Sequence, residues 1–125
     1  MYSFGANGES QLGVEDVGDK SDVPVRIKDL PETHYKMLSC GVDHCMALTQ
    51  DGDVYSWGGG SEGQLGLGPD MMDTETPIKV PVNESVVYIS CGYYHSAFIT
   101  GVRHCQVNFH FNLAIDELKY YSSFY

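Results

Sequence analysis

Basic residues are scarce: 7 Lys and Arg stand against 17 Asp and Glu, for a net charge of -10. Wrapping nucleic acid or lying on an anionic membrane needs a broad cationic surface, so neither is expected of this chain. Long apolar runs are missing too, and none approaches the roughly 20 residues of a helical membrane span. Met1 to Gly13 lacks the basic block and following apolar block of a secretory signal, which leaves a cytoplasmic location as the expectation. Only 4 of 125 residues are Cys, too few for a disulfide scaffold, so free thiols in a reducing compartment are expected. The length fits one ordinary domain.

What the chain does have is Gly (14) and Tyr (9), unevenly set. The whole acid excess lies in residues 1–101. Residues 102–125 carry two charges of each sign together with Phe109, Phe111, Tyr120, Tyr121, Phe124 and Tyr125. They read as a divergent tail of uncertain origin: either a different reading context, such as an unspliced intron or a misjudged gene end, or a genuine, divergent closing strand.

Residues 1–101 repeat themselves. Tyr2-Ser3-Phe4-Gly5, continuing to Gln11-Leu12-Gly13, returns 53 residues later as Tyr55-Ser56-Trp57-Gly58, continuing to Gln64-Leu65-Gly66. Leu38-Ser39-Cys40-Gly41-x-x-His44 returns 51 residues later as Ile89-Ser90-Cys91-Gly92-x-x-His95. Two motifs recurring in one order at nearly one spacing mark an array of structural repeats.

The local pattern is β. Asp51-Gly52 lies between apolar runs at Cys45 to Thr49 and Asp53 to Trp57, which predicts a hairpin, since both turn residues tolerate positive φ. Val86 to Ser90 is a further β-prone run. Pro24 to Ile27 and Pro77 to Val80 are expected to be short strands that begin after a Pro, where the missing N–H does least harm. Acidic loops, Val14 to Asp22 and Gly68 to Glu75, separate them. In the tail, Cys105, Val107, Phe109, Phe111 and Leu113 alternate as in a strand, and Ala114 to Lys119 suits a helical turn or two. Several short strands per unit of about fifty residues is the arithmetic of a propeller blade.

The run Tyr55 to Gly66, with Ser39 to Thr49, resembles the repeat of the regulator of chromosome condensation family. That resemblance implies an all-β fold, part of a seven-bladed β-propeller. At 51 to 53 residues per unit the chain would hold a little over two blades, so it is expected to be a fragment of a longer protein. The run Ile89 to Thr100 is similar to the GTPase-regulator branch of the family associated with retinitis pigmentosa. The resemblance implies a protein-interaction platform, with a small GTPase or ciliary trafficking and scaffold proteins as partners. Among these the prenyl-binding phosphodiesterase delta subunit and a scaffold protein that interacts with the regulator are expected. No cofactor, nucleic acid, membrane or small-molecule substrate is expected. A guanine-nucleotide exchange factor for a small GTPase and a segment of a large ubiquitin ligase are the alternatives.

Catalytic constellations are not found, and no enzyme activity is expected. Gly58-x-Gly60-x-x-Gly63 spells a dinucleotide fingerprint, but Gln64 to Pro69 cannot open a helix to receive a pyrophosphate. Cys40 and Cys91, with His44 and His95, have metal-like spacing. As repeat equivalents they are expected on well-separated blades, with each Cys a small buried filler and each His bonded to backbone in its turn. Cys45 and Cys105 have no repeat partner. The two Gly-x-x-His turns are the candidate partner-binding site: Val42, Asp43 and His44 in one, Tyr93, Tyr94 and His95 in the other. In the resembled family this turn lies on the face that engages a GTPase, with an acid before the His. Asp43 matches that acid and Tyr94 departs from it, which favours protein binding over exchange, since Tyr is a preferred interface anchor.

Overall fold

Where the sequence alternates and turns, the chain is extended. A computed structural model describes residues 1–101 and the backbone of Cys105–Asn108, and every regular element among them is a strand. β1 (Tyr2–Ala6) pairs with β2 (Lys20–Arg26). β3 (Tyr35–Cys40), β4 (His44–Thr49), β5 (Val54–Gly58) and β6 (Thr74–Lys79) make a second sheet. β7 (Val86–Cys91), β8 (Ser96–Thr100) and β9 (Cys105–Asn108) make a third. All pairings are antiparallel and follow chain order, the pattern of propeller blades. The second sheet is a whole blade, the first matches its last two strands, and the third matches its first three. The sequence repeat is therefore out of phase with the sheets.

The β4–β5 hairpin falls where Asp51-Gly52 predicts it. Only Gly52 enters the left-handed region, at φ 94°. Gly52 N–H bonds to the Thr49 carbonyl at 3.1 Å and Thr49 N–H to the Asp53 carbonyl at 2.9 Å. This is a three-residue loop, a turn followed by one left-handed residue, so Asp51 needs no positive φ. The proline-bearing strands start earlier than expected, at Lys20 and Thr74. Pro24 and Pro77 sit inside strands that end their sheets, beside register shifts at Ser3/Gly5 and Ser56/Gly58. Edges and bulges are where a missing N–H is tolerated.

β9 holds the register of β5 although the motif is gone. Ile99 opposite Cys105 and Ser96 opposite Asn108 repeat Leu48 opposite Val54 and Cys45 opposite Trp57. The expected alternation at Phe109 to Leu113 and the helical turn at Ala114 to Lys119 lie outside the described residues.

Burial follows strand period. Met46 and Leu48 join Val54, Val80, Val86, Ile89 and Phe98 in a core between the second and third sheets. Ala47, between them in β4, faces the other way and packs with Trp57 and with Ile27 and Leu30 of the segment that follows β2. Alternate side chains of one strand thus serve two interfaces. β4 is therefore covered on both faces and buried nearly throughout.

Candidate functional site

The repeat motif is first of all a joint. Ser3 Oγ donates to the Leu12 carbonyl at 2.6 Å, and Ser56 Oγ to the Leu65 carbonyl at 2.8 Å. Gln11 Oε1 accepts from Glu9 N–H and Gln64 Oε1 from Glu62 N–H, both at 2.9 Å. Each pair is one bond made twice, 53 residues apart, so Ser and the Gln-Leu-Gly run fold one loop onto its strand. Trp57 then links sheets, its Nε1–H donating to the Gln11 carbonyl at 3.1 Å. Gly58 closes β5, and Gly60 and Gly63 belong to this loop. Gly60 N–H bonds to Asp73 Oδ1, Gly63 has φ 75°, and no helix follows.

The two Gly-x-x-His turns close alike: Gly41 N–H donates to the His44 carbonyl and Gly92 N–H to the His95 carbonyl, each at 2.8 Å. Each His ring folds back over its own glycine. A Cβ on Gly41 would stand 2.2 Å from His44 Cε1, and one on Gly92 2.0 Å from His95 Nε2. Glycine three residues before the His thus leaves the room into which the ring folds.

Tertiary structure then joins the turns. Val42 N–H donates to the Tyr93 carbonyl at 3.2 Å, bridging neighbouring blades. Val42 (40% exposed), Tyr93 (65%) and Tyr94 (45%) form one outward apolar surface. The two Tyr rings meet edge to face, 4.8 Å between centroids, an arrangement that favours aromatic pairs. Asp43 is half-buried, its carbonyl accepting from Gly59 N–H at 2.8 Å. His95 is half-buried.

His44 is different, at 1% exposed. Its Nε2 bonds to Ser96 Oγ at 2.8 Å, across the blade seam. Burial pushes its pKa down to about 4, against the partial pull of the His95 backbone upward. The ring is neutral at pH 7 and buttresses the turn from beneath. The expectation of a backbone bond within its own turn is corrected here, because the neighbouring blade supplies a hydroxyl.

Repeat equivalents also lie closer than expected. His95 is near enough to disfavour a charge on His44, and Cys40 near enough to disfavour a thiolate on Cys91. Cys91 N–H donates to Ser39 Oγ at 2.8 Å and its Sγ contacts the Ser39 carbonyl at 3.4 Å. The cysteines are not both buried filler: Cys40 is exposed and Cys91 half-buried. Blades stack side by side, so equivalent strand ends become neighbours. Among the described residues no group of three His, Cys, Asp or Glu is placed to hold a metal. Ser39 and Ser96, the two hydroxyls that tie the seam, were missed from sequence. The available signal was that Ser96 takes the repeat position of Cys45.

The sequence profile of the regulator of chromosome condensation (RCC1) repeat matches residues 1–48 and 51–99. The chain belongs to the RCC1 repeat family. It is 38% identical over 102 residues to the ultraviolet-B receptor UVR8 of Arabidopsis thaliana, covering 80% of this chain and 23% of that protein. It is 42% identical over 89 residues to the X-linked retinitis pigmentosa GTPase regulator of Mus musculus, covering 71% and 9%. The crystal structure of Prp20p from Saccharomyces cerevisiae, described with its binding properties to Gsp1p and histones, superimposes with TM-score 0.76. That match has 21% identity and covers 85% of this chain and 28% of that one. The RCC1 repeats here thus form part of a β-propeller and span less than a quarter of the length of these two curated relatives. Among the described residues no helix is long and apolar enough to cross a membrane.

Proposed function

We propose that this chain supplies part of a protein-binding face, built from the Val42–Asp43 and Tyr93–Tyr94 turns, and performs no bond chemistry of its own. The observation that carries the reading is the Val42 to Tyr93 hydrogen bond, which merges turns from two blades into one surface. Exposed Tyr held by packing offers large contact area at low entropic cost, the usual character of an interface anchor. A small GTPase is the proposed partner class. Similarity to a GTPase regulator and the described binding of Prp20p to Gsp1p support it. Ciliary trafficking and scaffold proteins, in the cytoplasm or cilium, are the finer proposal, resting on the same regulator.

Asp43 favours one second reading, nucleotide exchange, because the resemblance places an acid directly before this His. Exchange would require the face to bind nucleotide-free GTPase better than loaded GTPase, since only differential affinity drives release. Binding of the chain to immobilised small GTPases, loaded and nucleotide-free, is the test, with release of a fluorescent nucleotide followed in parallel. Binding without faster release supports the platform. Accelerated release establishes exchange instead, and binding unchanged by Tyr93→Ala with Tyr94→Ala removes this face from either role.

A further inference from the structure

The β3–β4 hairpin carries two sulfurs that the interaction surface does not use. Cys40 and Cys45 are direct register partners, and Gly41 N–H bonds to the His44 carbonyl one step nearer the turn. Bonded and non-bonded pairs alternate along an antiparallel ladder, so Cys40 and Cys45 form a non-bonded pair. There Cα atoms approach to about 4.5 Å and side chains come closest. That separation lies within the roughly 4.4–6.8 Å that a disulfide bridges without backbone movement. The thiols already touch, Cys45 Sγ donating to Cys40 Sγ at 3.2 Å. Cys40 is exposed, and both cysteines line a cleft of about 440 Å³ that also includes Gln11, Val42 and Trp57. The next repeat is an internal comparison: there Cys91 faces Ser96, with Sγ and Oγ 3.9 Å apart, so the same hairpin lacks a second sulfur.

We propose that Cys40 and Cys45 are a redox-active dithiol, a modification site whose co-reactant is a low-molecular-weight disulfide entering by this cleft. The hydrogen bond from Cys45 holds the Cys40 thiol below its ordinary range, at about 7, while that same bond and burial push Cys45 up. Cys40 is therefore the attacking group and Cys45 the resolving one. The Cys40 thiolate attacks one sulfur of the reagent, whose S–S bond breaks and releases a first thiolate. Cys45 then loses its proton to solvent, and its sulfur attacks Cys40 Sγ, expelling the second thiolate. Two protein thiols are oxidised by two electrons, and the reagent is reduced to two thiols that take up the protons. The new bond closes over Gly41 to His44, the turn that carries Val42 and Asp43, so oxidation pins the base of the candidate interaction surface.

The test treats the fully reduced chain with oxidised glutathione and maps cross-links by mass spectrometry without reduction. A Cys40–Cys45 bond that dithiothreitol reverses, preceded by a transient glutathione adduct on Cys40, is expected. Cys45→Ser, which installs the residue found at Ser96, should leave a lasting adduct on Cys40. Cys40→Ser should slow adduct formation about fivefold to tenfold, as loss of a low-pKa nucleophile implies. Cross-links to Cys91 or Cys105, dimers through Cys40, or a glutathione adduct that persists on the unmutated chain would overturn the proposal. Bond mapping on the unmutated chain decides even where a variant fails to fold.

Discussion

Phe4 and Trp57 hold the same place in two copies of one motif, yet Phe4 is 68% exposed and Trp57 3%. Their local surroundings are near-duplicates, down to the serine bond on the following leucine carbonyl. What differs is the company. β5 has β4 beside it and Ile27 and Leu30, from the segment after β2, packed with its Trp, whereas β1 is paired in its sheet with β2 alone. Local sequence sets the shape of a blade edge, and a neighbouring sheet decides whether that edge is core.

The largest expected break in this comparison is at the aromatics themselves. Trp57→Ala should destabilise the chain by about 3–5 kcal/mol, and Phe4→Ala by less than about 1 kcal/mol, in urea unfolding. Equal losses would mean that Phe4 is packed too. Next comes His44, whose folded pKa of about 4 lies below the ordinary 6.5. Its contribution is fully present above pH 6.5 and is lost as pH falls towards 4, because the unfolded ring takes up a proton that the folded ring refuses. The loss is on the order of 3 kcal/mol. His44→Gln should remove this part of the acid dependence, and an unchanged stability slope between pH 6.5 and 4 would sink the assignment.

A smaller contrast separates the turn glycines. A Cβ on Gly41 meets the Gly92 carbonyl oxygen at 2.6 Å as well as its own His ring, whereas the nearest atoms to one on Gly92 all belong to the His95 ring. Backbone yields less than a side chain, so Gly41→Ala should cost about 2 kcal/mol and Gly92→Ala about 1 kcal/mol. Chemical denaturation of both variants sharpens or erases the difference. Smallest of all, Tyr93→Ala with Tyr94→Ala should move stability by no more than about 0.5 kcal/mol, since both rings are exposed. Partner affinity should fall at least about tenfold in the same variant, and a large stability loss would mark the pair as structural.

Much of the fold was legible because its signals are short-range. Asp51-Gly52 marked the hairpin, and the structure adds that its loop has three residues with Gly52 left-handed. The prolines marked strands but misplaced their starts, because a bulge at an edge lets a strand run through Pro24 and Pro77. The candidate surface was half legible. Val42, Tyr93 and Tyr94 are outward, but His44 is turned into a seam by Ser96, a partner 52 residues away. Cys45 looked idle because it has no repeat equivalent, although its register opposite Cys40 follows from the hairpin that the repeat itself implies.

By itself the sequence determined the repeat, the strand order and the turn chemistry, because the bonds that make them stay within one repeat unit, as Ser3 to Leu12, Gly41 to His44 and Tyr55 opposite Lys79 do. Only the tertiary structure decided which copy of a motif is buried, which histidine is neutral, and which turns share a surface. Those properties depend on stacking sheets whose contacting residues lie about fifty positions apart, and desolvation acts on whatever that stacking encloses.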